Sequence, residues 1–190
     1  MTTMNEGQKD SIATERLLLR PFSKNDRETV LDLYSDSKTM RYWSKEPITS
    51  LEEADSLIEQ EMEWPSKEKC FNWAIALPDS NLLIGKICLF HLSERNRRAE
   101  IGYLLNRKLW GKGYMSEALA CVLAYGFGEL KLHRVEADTD PQNLASLALL
   151  EKFGFVREGF LKERWFVHGK WHDSVMLGLL ASTFNRKVPA

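Results

Sequence analysis

Three groups of residues in this sequence have types and spacings suited to chemistry. The first is Gly111-Lys112-Gly113, just ahead of a helix-like run from Ser116 to about Leu130. Glycine admits φ > 0 and lets backbone approach a ligand with no Cβ in the way. A helix start adds unpaired N–H groups and the positive end of the dipole, so the stretch suits an anion, most naturally a phosphate. A tight strand-to-helix turn is the alternative reading. The spacing is not that of a P-loop, and Ser116 stands where a dinucleotide fingerprint needs its third glycine.

The second group is centred on Glu100, in a strand-like run over residues 98–105. Alternation puts Glu100, Gly102 and Leu104 on one face and Ala99, Ile101 and Tyr103 on the other. Apolar surroundings raise a carboxylate's pKa toward the range of a general base. An ion pair with Arg97 or Arg98 is the alternative. The third group is Asn143-Leu144-Ala145-Ser146, with Asn143 as a helix cap and Ser146 in the first turn. A hydroxyl there can donate a proton to a departing anion, which the dipole also favours. Simple capping is the alternative, and Tyr34 and Tyr103 are rival acids.

The elements that must carry these groups can be read in order. Residues 15–22 form a first strand, stopped by Pro21. Ser23 or Asn25 caps a helix through Tyr34, and Ser50-x-x-Glu53 opens a second helix with a capping box. Its outer face carries Glu52, Glu53, Asp55, Glu59, Glu61 and Glu63 with no basic residue. That is either a solvated acidic face or an acidic lip for basic acceptors. Residues 73–77 and 82–90 make a hairpin, and strands follow over 98–105 and 134–138. A helix from Asn143 to about Phe153 stops at Gly154, and two last strands span 156–165 and 173–180. This mixture predicts a single α/β domain over 13–182, between a loose tail at 1–12 and a short one at 183–190.

Composition narrows the class. With 190 residues and 44% hydrophobic content the chain can bury a core, and a net charge of -1 points to no nucleic acid and no anionic membrane. No apolar run approaches the roughly 20 residues of a membrane span. Cys70, Cys88 and Cys121 are odd in number and lack C-x-x-C spacing, which argues against disulfides and a zinc site and fits a reducing cytoplasm. His168 and His172 flank a Gly-Lys turn rather than sharing a helix, so no metal is expected. His91 and His133 stand alone. Trp64, Trp73, Trp110, Trp165 and Trp171 read as core or pocket-wall aromatics, and Trp43 as a residue of an acceptor loop. Arg95-Asn96-Arg97-Arg98 is a basic turn, solvated or facing a ribose phosphate.

The ordered set of strand 98–105, glycine loop, helix, strand 134–138 and Asn-x-x-Ser resembles the GNAT acetyltransferases. The wording Thr14-Glu15-Arg16-Leu17-Leu18-Leu19-Arg20 resembles their RimJ/RimL branch, which acetylates protein N-terminal amines. The resemblance runs from Thr14 to about Leu180. It implies an α/β (α+β) GNAT fold: one mixed, mostly antiparallel sheet of six to seven strands, its central strands splayed, flanked by about four helices. It implies acetyl-CoA as cosubstrate and no metal. It also implies an amine acceptor, a protein N-terminus with ribosomal proteins among the candidates, or alternatively a polyamine or aminoglycoside. A non-catalytic CoA-binding module is the remaining alternative. By this resemblance Glu100 is the general base and Ser146 the general acid. Trp110, Gly111, Lys112, Gly113, Tyr114, Met115 and Ser116 form the CoA loop, whose backbone holds the pyrophosphate. Asn143 holds the pantetheine arm or an ordered water, and a backbone N–H at Leu104 or Leu105 meets the oxyanion. Trp110 and Met115 depart from the family pattern [Q/R]-x-x-G-x-[G/A]. A monomer or homodimer is implied.

Overall fold

Apolar alternation and paired turns give eight strands among the described residues. They are β1 (Ile12–Ala13), β2 (Leu18–Arg20), β3 (Phe71–Ala76), β4 (Leu83–Ser93), β5 (Arg98–Leu105), β6 (Arg134–Thr139), β7 (Val156–Val167) and β8 (Lys170–Leu180). Four α-helices stand between them: α1 (Arg27–Ser35), α2 (Leu51–Lys67), α3 (Tyr114–Gly128) and α4 (Leu144–Lys152). The computed structural model describes residues 11–67, 70–167 and 169–185. Most of the expected tails, and His168, lie outside the described residues.

The strands form one sheet in the order β1-β2-β3-β4-β5-β6-β8-β7. All neighbours are antiparallel except β5 and β6. The count is eight rather than six or seven because a turn closed by Thr14 N–H on the Leu17 carbonyl, at 2.8 Å, folds Ile12 back onto Leu19. That turn also shortens the expected first strand to Leu18–Arg20. A two-residue strand is too short to show periodicity.

Each face of the sheet has its own core. On one face α1 and α2 bury Val30, Leu33, Leu57 and Ile58 against Ala74, Leu83 and Leu104. On the other, α3 and α4 bury Leu119, Val122, Leu123, Leu147 and Leu150 against Ile87, Ile101, Val135 and Leu177. No helix among the described residues is long and apolar enough to cross a membrane.

The parallel pair β5–β6 is short. It is registered only at Arg98↔Arg134, Ala99↔Val135 and Glu100↔Glu136. Beyond Glu100, β5 runs on to Leu105 and β6 to Thr139 without pairing, so the sheet opens into a wedge.

The acidic face expected on α2 is not a single solvated surface. Arg27 Nε pairs with Asp55 at 2.9 Å, and Lys24 lies 3.6 Å from Glu59. Glu61 turns inward. Its two carboxylate oxygens each lie 2.6 Å from Lys86 Nζ of β4, and Asn72 Nδ2 donates to Oε2 at 2.7 Å. The Lys86 ammonium also sits 4.6 Å above the Trp64 ring. Both ions are buried, so each depends on the other to offset its desolvation. Lys86→Met strands a buried carboxylate and is expected to cost about 3–5 kcal/mol. Lys86→Met with Glu61→Leu removes both charges and is expected to regain most of that. Chemical denaturation of the three proteins checks this, and a Lys86→Met protein as stable as wild type would contradict it.

Candidate active site

The wedge opens into a cleft of about 1240 Å³ that passes between β5 and β6. Glu100 lies at its closed end, where the parallel pairing stops. Burial lifts the Glu100 carboxyl above its usual range, while a contact from His91 Nδ1 to Oε2 at 3.2 Å holds it back. His91 is 67% exposed and sits at the irregularity that interrupts β4 after Phe90, with φ +50°. No local pattern marks this contact, because it depends on that irregularity. The expected alternative, an ion pair of Glu100 with Arg97 or Arg98, does not form: Arg98 pairs with Glu136.

On the opposite face of β5, Tyr103 meets Ser146. Their hydroxyl oxygens are 2.7 Å apart. Ser146 stands in the first turn of α4, where its N–H donates to Asn143 Oδ1 at 3.2 Å, so Asn143 does cap the helix. Burial pushes the Tyr103 phenol up to about 12, against the pull of the Ser146 hydrogen bond. The phenol therefore stays protonated near neutral pH. Tyr34, the other rival acid, is buried in the α1–α2 core.

Backbone polarity along β5 follows from register. Asn106 N–H donates to the Ile84 carbonyl at 2.8 Å, and the Arg97 carbonyl accepts from His133 and Arg134 on the β6 side. With Lys86 opposite Leu104, antiparallel alternation turns the N–H of Leu104 toward β4. The same alternation turns the N–H groups of Tyr103 and Leu105 into the wedge. Of the two residues expected to meet an oxyanion, Leu104 points the wrong way and Leu105 the right way. The Leu105 carbonyl is taken by Trp110 Nε1 at 2.8 Å.

The glycine loop closes the other end of the cleft. Gly111 and Gly113 have φ of +72° and +82°, and a Cβ at Gly111 would meet nothing within 4 Å. Gly113 is the N-cap of α3, so the first N–H groups of the helix follow directly. Gly111, Gly113, Tyr114, Met115 and Ser116 line the cleft. Met115, which departs from the family pattern, packs its side chain among the core residues. Ser116 Oγ accepts from Lys152 Nζ at 3.4 Å. The basic turn at Arg95–Arg98 lies at the far end of β5, roughly 25 Å of strand from the loop. All four residues are exposed, as the solvated reading expects.

Trp43, Trp64, Phe90 and Trp165 also line the cleft. Trp171, expected in a core or pocket wall, is 61% exposed and packs on Phe166. Cys88 also lines the cleft, but burial pushes its thiol up to about 11, so it is a poor nucleophile at neutral pH. His172 Nδ1 lies 3.2 Å from Asp140, and no group of three or more metal-ligating side chains occurs among the described residues. These parts fit a CoA thioester: a glycine loop at a helix start suited to an anion, a wedge for an extended arm, and a carboxyl and a hydroxyl pair on opposite faces of one strand.

Comparison with known proteins agrees. Residues 16–156 match the acetyltransferase (GNAT) domain family. The chain is 32% identical to the uncharacterized N-acetyltransferase p20 of Bacillus licheniformis, over 90% of this chain and 96% of that one. The crystal structure of a GNAT-family acetyltransferase from Bacillus anthracis superposes with a TM-score of 0.79 at 34% identity, covering 91% of this chain and 99% of that one. Spermidine N-acetyltransferase from Vibrio cholerae, solved with CoA and spermine, gives 0.75 at 26% identity, covering 89% and 98%. From its glycine loop, its open wedge and these likenesses, the chain belongs to the GNAT family and is an acetyltransferase.

Proposed function

We propose that the enzyme transfers the acetyl group of acetyl-CoA to the α-amine of a protein N-terminus, with donor and acceptor bound together. The observation that carries this reading is the position of Glu100 and of the Ser146–Tyr103 pair on opposite faces of one strand, beside the same wedge. When bound, acetyl-CoA supplies an electrophilic carbonyl and a thiol leaving group.

Each residue then has one task. The N–H groups of Gly111, Lys112, Gly113, Tyr114 and Met115 hold the pyrophosphate, with Trp110 and Ser116 at the ends of the loop. Asn143 holds the pantetheine arm. Glu100 takes a proton from the amine, whose unperturbed pKa near 8 makes the transfer easy. His91, exposed on the far side of that carboxylate, gives the proton a route to solvent. The Leu105 and Tyr103 N–H groups face the oxygen that gains charge. Ser146 Oγ gives a proton to the departing sulfur as it takes that of the Tyr103 phenol, and the phenol regains one from solvent through the open cleft, while the proton held by Glu100 leaves by way of His91. The high thiol pKa of Cys88 leaves direct attack as the simpler route.

The acceptor side favours a single amine over a polycation. Glu61 is held by Lys86, Asp138 by Arg164 at 2.8 Å and Asp140 by His172. A polyamine needs several free carboxylates along its length. The wall of Trp43, Trp64, Phe90 and Trp165 suits the side chains that follow a peptide's first amine. The likeness to a spermidine acetyltransferase supports a polyamine as the second reading. Thiol release from acetyl-CoA, measured with peptides bearing N-terminal Ala, Ser, Thr or Met and with spermidine, decides between them. Faster turnover with a peptide is expected, and a clear preference for spermidine would overturn the acceptor assignment.

Three further outcomes follow from the geometry. Glu100→Gln is expected to lower kcat at neutral pH by roughly 100-fold or more. It should leave acetyl-CoA affinity nearly unchanged by calorimetry. Because burial raises the Glu100 pKa and His91 lowers it, His91→Ala is expected to move the acidic limb of the pH–rate profile upward. A limb that stays in place would contradict the assignment. Tyr103→Phe and Ser146→Ala are each expected to slow turnover, and the double variant to be little worse than Ser146→Ala, since the two act as one unit. Additive losses in stopped-flow thiol release would separate them.

A further inference from the structure

The Thr14-Glu15-Arg16 segment has no part in the chemistry above, yet it touches the glycine loop at several points. Thr14 Oγ1 donates to Glu117 Oε1 at 2.6 Å, Arg16 N–H donates to the same oxygen at 2.8 Å, and Arg16 Nε donates to Oε2 at 2.7 Å. Arg16 Nη1 reaches on to the Lys112 carbonyl at 3.1 Å, and the guanidinium lies 4.9 Å from the centre of the Tyr114 ring. A Cβ at Gly113 would come within 3.3 Å of Arg16 Nη2, a tight contact, and the positive φ there favours glycine.

Glu117 sits in the first turn of α3, beside the loop that would hold a doubly charged pyrophosphate. A free carboxylate there would oppose that anion. Burial alone would raise the Glu117 pKa, but Thr14 and Arg16 hold it below its usual range. The group is thus a carboxylate whose charge is matched by Arg16. The same guanidinium engages the one loop carbonyl at Lys112, between the two positive-φ glycines. A carbonyl turned toward the anion would repel it, whereas the N–H groups attract it. Gly111, Gly113 and Tyr114 line the cleft, and Arg16 reaches them from behind.

We infer that Arg16, seated on Glu117, is a positioning residue that sets the carbonyl and N–H directions of the glycine loop for the CoA pyrophosphate. The inference rests on the acetyl-CoA reading above. It assigns a role to the Thr-Glu-Arg wording at the start of the domain. Arg16 makes no contact with the reacting atoms. Its effect is confined to donors that carry the pyrophosphate.

That confinement is the test. Wild type, Arg16→Ala and Arg16→Lys would be compared with acetyl-CoA and with S-acetylpantetheine, which keeps the thioester arm and lacks the pyrophosphate. For Arg16→Ala, the acetyl-CoA Kd by calorimetry and its KM are expected to rise roughly tenfold, with kcat at saturating donor within about twofold. The KM for S-acetylpantetheine is expected to stay the same. Arg16→Lys restores the charge without the fork that spans Glu117 and Lys112, and is expected to recover the loss in part. An equal loss on both donors would make Arg16 a general structural anchor and overturn the inference. So would an unchanged acetyl-CoA Kd. Failure of wild type to bind acetyl-CoA would instead overturn the reading on which the inference rests.

Discussion

The structure turns on the early end of one parallel strand pair. β5 and β6 are in register for Arg98 to Glu100 and then part. Continued pairing would spend the Tyr103 and Leu105 N–H groups on carbonyls of β6 and fill the space a substrate needs. Two contacts brace the open wedge. Trp110 takes the Leu105 carbonyl, and the Tyr103 phenol reaches across to Ser146 on α4. The N–H groups that remain form a ready set of donors whose orientation is fixed before substrate arrives.

Charge is arranged with the same economy. Several carboxylates near the cleft are matched by cations: Glu61 by Lys86, Glu117 by Arg16, Asp138 by Arg164. Glu100 and Asp140 meet histidines instead, and Glu100 stands where the parallel pairing stops. In the proposed reaction, burial on one side and an exposed imidazole on the other suit Glu100 to the part of a base with an exit for its proton. The proposed acid on the far face is of another kind, a hydroxyl pair at a helix start with no formal charge. The strand itself keeps the two apart.

Much of this was legible in the sequence, where the signal is local. Gly111 and Gly113 announce the loop, Asn143 the cap of α4, and strand alternation the face of Glu100. The boundaries of β5 agree to the residue. What was not legible depends on contacts far apart in the chain. Arg16 and Glu117 are 101 residues apart, and nothing local marks either as half of a pair. Glu61 read as one more acid on an outer helix face, because its turn inward is set by Lys86 on a distant strand. His91 looked isolated because the irregularity that brings it to Glu100 leaves no mark on the apolar pattern. Only register separates Leu105 from Leu104, and register belongs to the sheet.

The account makes the wedge the place where donor and acceptor meet. Amide chemical shifts during titration with acetyl-CoA test that most directly. The account predicts the largest changes at Gly111 to Met115, and at Tyr103 and Leu105 within β5, while amides of β1 to β3 stay nearly fixed. Changes confined to another surface, or loop changes with Tyr103 and Leu105 unmoved, would contradict it.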